Sequence, residues 1–258
     1  MAVPPTKKVL LSALAERVRQ IERPRASSHG VFSFGFEAID RALPAGGLAR
    51  GALHEILGGG EEDGALAAAF AALILGPLAA EGGRILWCLA KADLYGPGLA
   101  AAGLDPSRLL LAETSREDLL LWAMEEGLRT PGLAAVVGET RRLDLLSSRR
   151  LQLAAERSGI PAFALRHRRK GEKAALSCGL PNAAASRWRI GPLPSIAQKG
   201  EPGVGRAHWR VELLRCRGAA PAFWEMEVED GAGLVFVAPG VADRPLAKEE
   251  GSPLYAAL

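Results

Sequence analysis

Cysteine and aromatic side chains are scarce in this chain of 258 residues. It has three cysteines (Cys88, Cys178 and Cys216), and 5% of its residues are Phe, Trp or Tyr. The cysteines are odd in number, widely spaced and form no CxxC pair. That excludes a disulfide framework and a thiolate zinc site, and it points to a reducing, cytoplasmic compartment. The four histidines include no HExxH pair, so no metal site is expected. No apolar run reaches the ~18 residues of a membrane span. The longest, Ala65 to Ala80, is broken by Gly76-Pro77. A net charge of +3 is too small to mark a nucleic-acid binder. What the chain does have is Ala, Leu and Gly, in a balance of 48% apolar to 24% charged residues. That balance suits a soluble globular protein of Ala/Leu helices packed on a sheet. The length allows one large domain or two small ones, with a core that needs no staples.

Lys7-Lys8 followed by Val9–Ala15 has the outline of a signal peptide. The apolar positions Val9, Leu10, Leu14, Val18 and Ile21, however, continue at helical spacing across the would-be cleavage point. The stretch therefore reads as an amphipathic helix over 6–23, ended by Pro24 and followed by a linker to Gly30. Its apolar stripe either folds back on the rest of the chain or docks on a partner or a second copy.

From there the chain alternates. Short apolar runs at Ala52–Leu57, Arg84–Ala90, Leu109–Glu113, Ala134–Glu139 and Pro161–Arg166 read as buried strands. Helical stretches lie between them at Ala65–Leu75, near 117–128 and at Leu143–Arg157, and Thr114 with Glu117 has capping-box spacing. This is the pattern of βαβ units in a mostly parallel, doubly wound α/β sheet. After His167 the segments Ser186–Ile190, His208–Cys216, Phe223–Val228 and Leu234–Ala238 leave no room for helices and read as antiparallel strands extending the sheet. The expected division is an arm and linker over 1–30, one core over 31–245 and a tail over 246–258.

A strand, a glycine-rich turn and a helix also make up a phosphate-binding loop, whose test is the spacing GxxxxGK[ST]. Here the turn and helix start read Gly58, Gly59, Gly60, Glu61, Glu62, Asp63, Gly64, Ala65. In either register the lysine and the hydroxyl are missing, and three carboxylates stand where a nucleotide would bring more negative charge. Those carboxylates are suited instead to cap the N–H groups of the following helix. No cofactor is expected. His54 with a serine makes no hydrolase reading without a GxSxG elbow, and it reads as a packed strand residue, as Trp87 and Trp122 read as core. Trp188, Trp209 and Trp224 would form one apolar face. Residues 141–173 hold ten Lys/Arg against three acids, a local charge of +7. Arg166, Arg168, Arg169, Lys170 and Lys173 are the candidate contacts there, for phosphates or an acidic partner if not simply a solvated basic face.

The residues Phe34-Gly35-Phe36-Glu37-Ala38-Ile39-Asp40, Leu43, Gly46-Gly47-Leu48, Arg50-Gly51 and His54-Glu55-Ile56-Leu57-Gly58 resemble the opening of the RecA recombinase ATPase core. More closely the whole chain resembles the ImuA family. The residues that carry this are Phe32-Ser33-Phe34-Gly35, Leu57-Gly58-Gly59-Gly60, Val136-Val137-Gly138-Glu139, Ala183–Arg189 and Trp209-Arg210-Val211-Glu212-Leu213. The RecA resemblance implies a RecA-like fold with DNA-facing loops near Arg168-Arg169-Lys170. It lapses at the catalytic positions. Lys91-Ala92-Asp93 stands where RecA has its water-activating glutamate, and Gly138-Glu139 stands where it has its magnesium-orienting aspartate. The expectation is a pseudo-ATPase. The ImuA resemblance implies an accessory protein of damage-induced, error-prone translesion synthesis, in the SOS response. Its implied partners are an ImuB-type Y-family polymerase relative and RecA, with a DnaE-type polymerase and the sliding clamp reached indirectly. The alternatives are a RecA-like DNA-dependent ATPase and a SulA-like cell-division inhibitor.

Overall fold

The computed structural model describes residues 29–59, 64–166, 181–196, 206–229 and 233–240. The expected arm stripe (Val9, Leu10, Leu14, Val18, Ile21), Gly60–Asp63, Arg168, Arg169, Lys170, Lys173 and the tail lie outside these. The described chain is α/β. A two-stranded ribbon, β1 (Val31–Phe32) with β2 (Leu48–Ala49), precedes a sheet of nine strands. These are β3 (Leu53–Gly58), β4 (Arg84–Leu89), β5 (Leu109–Glu113), β6 (Leu133–Thr140), β7 (Ala162–Arg166), β8 (Ser186–Ile196), β9 (Arg206–Cys216), β10 (Ala222–Glu229) and β11 (Gly233–Gly240). Their order is β11-β10-β9-β8-β3-β7-β6-β4-β5. From β8 to β5 every pairing is parallel, and from β8 to β11 every pairing is antiparallel. The mostly parallel sheet with antiparallel C-terminal strands thus follows the sequence pattern. Strands buried on both faces are near-continuous apolar runs, and β3 and β7 at the centre are of that kind.

Helices cover both faces. On one lies α2 (Gly64–Ala80), which is apolar all round and packs on β3, β6, β7 and β8. On the other, α4 (Glu117–Arg129) covers β4, β5 and β6, while α5 (Leu145–Ser158) covers β3 and β7 beside it. Two short helices, α1 (Glu37–Asp40) and α3 (Gly96–Ala101), complete the set. The Asp40 carboxylate accepts from Ser33 Oγ at 2.6 Å and from the Phe34 amide at 2.7 Å, which folds the Phe34–Asp40 run on itself. Phe34 is thereby fixed in the α2-face core against Phe70 and Trp188, at centroid distances of 5.5 and 5.1 Å. Trp188, Trp209 and Trp224 are buried in the same core, as one face of the C-terminal strands.

Several local expectations are corrected. Helix α2 does not stop at Leu75 but runs through Gly76-Pro77 to Ala80. Pro77 costs one backbone hydrogen bond, but it stands on the solvent side of the helix in line with Leu66, Ala69, Leu73 and Ala80 while the opposite side is buried, and Gly76 lets that side press against another backbone. A Cβ at Gly76 would meet the Gly103 carbonyl oxygen at 2.3 Å. The Thr114–Glu117 capping box does not form, because Arg116 is the N-cap, without a side-chain cap bond. Glu117 instead accepts from the Arg141 amide at 2.8 Å, tying α4 to the end of β6. Helix α5 begins after Asp144, whose carboxylate caps the Ser147 amide at 2.7 Å. Trp122 is not core: it is 57% exposed on the outer side of α4.

Candidate functional site

In an open parallel sheet, ligands meet the carboxyl ends of the strands. There β3 ends at Gly58, and the Gly59 amide donates to the Ile190 carbonyl at 2.7 Å. After 60–63, helix α2 starts at Gly64-Ala65-Leu66. Its first turn presents no lysine and no hydroxyl, the two groups a phosphate loop uses beyond its backbone amides. On the neighbouring strands, the Glu139 carboxylate accepts from the Trp87 indole N–H at 2.8 Å. Among the described residues, no group of three or more His, Cys, Asp or Glu side chains is placed to hold a metal ion.

The polar residues gathered at this end lie one layer in. Glu55, in the middle of central strand β3, is completely buried. Its carboxylate takes Arg187 Nε from β8 at 2.5 Å, Arg166 Nη1 from β7 at 3.3 Å and the Asn182 amide at 2.8 Å. Arg215 and Arg217 close the outside by donating to the carbonyls of Asn182, Ala184 and Ala183. Arg166 was expected on a surface patch. It is 4% exposed and belongs to this buried cluster, because the Glu55 carboxylate on the neighbouring strand β3 holds its guanidinium inward. A buried carboxylate requires such partners, since an unpaired charge in the interior costs several kcal/mol. The signal in the sequence was Glu55 itself, an acid inside an apolar strand; the identity of its partners was not readable there.

One residue earlier, His54 points to the opposite face. Its Nε2 is 2.9 Å from the Ala49 carbonyl, which can only accept, so Nε2 carries the proton. Nδ1 then accepts from Ser186 Oγ at 2.8 Å, and Ser186 accepts from the Trp188 indole N–H at 2.9 Å. Burial lowers the imidazole pKa to about 4, which keeps it neutral. The His54–Ser186 pair is thus a saturated core relay with no opening for a substrate. Burial likewise pushes the Cys88 and Cys216 thiols up to about 12 and about 11, away from thiolate chemistry.

No family model matches the chain. Protein ImuA of Caulobacter vibrioides, in strains NA1000 / CB15N and ATCC 19089 / CIP 103742 / CB 15, is 42% identical to it over 207 residues, covering 78% of this chain and 84% of the relative. The chain belongs to the ImuA family. The candidate site is the end of β3 and the start of α2. The loop's helix lacks the phosphate-binding side chains, and a buried Glu55–Arg166–Arg187 cluster braces the three strands beside it. No described helix of this ImuA-family chain is long and apolar enough to cross a membrane.

Proposed function

We propose that this ImuA-family chain is a non-catalytic accessory protein of damage-induced, error-prone translesion synthesis, working in the cytoplasm as part of the SOS response. It acts by contact, recruiting or bridging an ImuB-type Y-family polymerase relative and, through that, a DnaE-type polymerase and the sliding clamp, with RecA as a further partner. Family membership supports the part in damage-inducible mutagenesis. The observation that carries the non-catalytic reading is the start of α2, Gly64-Ala65-Leu66, which follows β3 and the glycine-rich turn. Without the lysine and the hydroxyl, neither terminal phosphates nor magnesium have their side-chain partners. The acids Glu61, Glu62 and Asp63 add like-charge repulsion. A fold that keeps this frame without its chemistry is used for its surfaces.

Three measurements test the reading. Titration with ATP and Mg²⁺ is expected to show no binding in the low-micromolar range; saturation there would bring forward the DNA-dependent ATPase. Co-expression with an ImuB-type polymerase relative is expected to yield a complex that persists without nucleotide. Deletion of this chain is expected to abolish damage-induced mutagenesis. No association at micromolar concentration, or undiminished mutagenesis, would overturn the recruitment reading.

A further inference from the structure

Helix α2 has 17 residues, Gly64–Ala80, and none of them carries a polar side chain. A surface helix ordinarily keeps polar residues on its solvent side, and one that is apolar all round is ordinarily buried all round. Here one side is open. Ala65, Pro77 and Ala80 are exposed, and Leu66, Ala69 and Leu73 are half-buried. Leu66, Ala69, Leu73, Pro77 and Ala80 follow at intervals of three, four, four and three residues, which lines them up as one apolar seam along the helix. The outer sides of α4 and α5 also expose leucines, but among arginines and glutamates that water solvates. The α2 seam has no charge at all. It offers nothing to a nucleic-acid backbone, and a helix lying on a lipid surface needs the charged face that α2 lacks.

The course of the chain points to what covers the seam. His29, the first described residue, lines a cavity of about 370 Å³ together with Arg50, Leu78 and Glu81, at the C-terminal end of α2. Arg50 pairs with Glu81, the residue after the helix, so the chain enters the fold beside that end. The chain before His29, outside the described residues, carries Leu10, Leu14, Val18 and Ile21. Their intervals of four, four and three residues repeat those of Ala69, Leu73, Pro77 and Ala80. Residues 24–28 separate Arg23 from His29, a tether of about 17 Å at full extension. A helix over 6–23 is about 27 Å long and α2 about 26 Å, so the two stripes match in length.

We infer that residues 6–23 fold back as a helix onto the outer side of α2 in the same chain, parallel to it, with Leu14 over Leu73 and Val18 over Pro77. This register sets large side chains against small ones, Leu10 over Ala69 and Ile21 over Ala80, so that ridges enter grooves. The arm of a second copy carries the same stripe. The short tether, however, holds the chain's own arm at an effective concentration on the order of millimolar, far above that of a second chain at micromolar protein. The inference rests on the arm and on α2, not on the recruitment reading.

The test is photo-cross-linking of the full chain with a benzophenone side chain in place of Leu14, read by mass spectrometry. Cross-links to the α2 seam around Leu73 are expected. In an equal mixture of light and isotope-labelled chains, both halves of each cross-linked product are expected to carry the same label. Mixed products would assign the seam to a second copy and overturn the inference. Cross-links to α4 or α5, or none to α2, overturn it as well. Ala80→Arg, at an exposed position of α2, and Leu10→Asp in the arm are each expected to lower the cross-link yield severalfold and to raise the binding of an apolar dye. An unchanged yield in either variant overturns the inference. The near-ultraviolet circular dichroism of the five tryptophans, none of them in the arm or in α2, is expected to stay unchanged in both variants, which separates undocking of the arm from damage to the core.

Discussion

His54 and Glu55 are neighbours on β3, yet they live on opposite faces of the sheet under opposite physical regimes. On the α2 side, an all-apolar helix closes over Ile56, Trp87, Phe163 and Trp188, and the polar chain Trp188–Ser186–His54–Ala49 is neutral and complete. On the α4–α5 side, a carboxylate and two guanidiniums are buried together, and the covering helices turn leucines and arginines outward. The first face is held by burial and shape, in which volume matters most. The second is held by compensation, in which the loss of one member strands the others. The comparison also separates roles. Beneath α2 the interior is sealed, whereas the outer side of α4 and α5 leaves Leu119, Trp122, Leu146 and Leu153 in water.

The sharpest break of this contrast is Glu55→Leu. It keeps the volume but leaves Arg166 and Arg187 buried without their carboxylate, and about 3–5 kcal/mol of stability should be lost. The matched change on the other face, Leu75→Met at a fully buried position of α2, should cost less than about 1.5 kcal/mol. Denaturant unfolding of the two variants measures the gap, and equal costs would erase the distinction between the faces.

The neutral relay gives a pH signature of roughly 3 kcal/mol. The folded His54 pKa of about 4 lies below the ordinary histidine value of 6.5. Between those values the unfolded chain binds a proton that the folded chain does not, so stability falls as pH drops from 6.5 toward 4. Unfolding at pH 7 and pH 5 should show about 2 kcal/mol of that loss in the native chain and a shallower one in His54→Gln. An unchanged slope would remove His54 as its source.

Close packing on the α2 face predicts a loss of about 1–3 kcal/mol for Gly76→Ala, whose methyl would meet the Gly103 carbonyl. On the other face, Asp144→Ala removes the α5 cap and should cost about 1 kcal/mol. If the cap variant proves the more damaging in thermal melts, α5 is held by its end rather than by its buried side.

Much of this architecture was legible in the chain. Apolar runs of strand length separated by helical stretches implied the parallel sheet, and the crowded segments after Ser186 implied its antiparallel extension, because alternation period and spacing are local properties. The broken phosphate loop was equally legible, since a missing lysine needs no coordinates. Other features were misread for non-local reasons. Pro77 ends a helix by its own chemistry, but it falls on the solvent side of α2, and burial of the opposite side carried the helix past it. Glu117 had capping-box spacing with Thr114, but the Arg141 amide at the end of β6 was the better partner. Trp122 looked like core until α4 chose which side to bury.

By itself, then, the sequence determined the class of fold, the loss of the nucleotide-binding side chains and the kinship with ImuA, all of which rest on residue type and on spacing along the chain. Only the tertiary structure decided that Arg166 is buried against Glu55, separated from it by 111 positions, and that Leu146, Leu153 and Trp122 stand outward. Those outcomes depend on strand order and on how each helix rotates over the sheet. Both are set by the competition of all apolar faces for one core, which no single stretch of sequence contains.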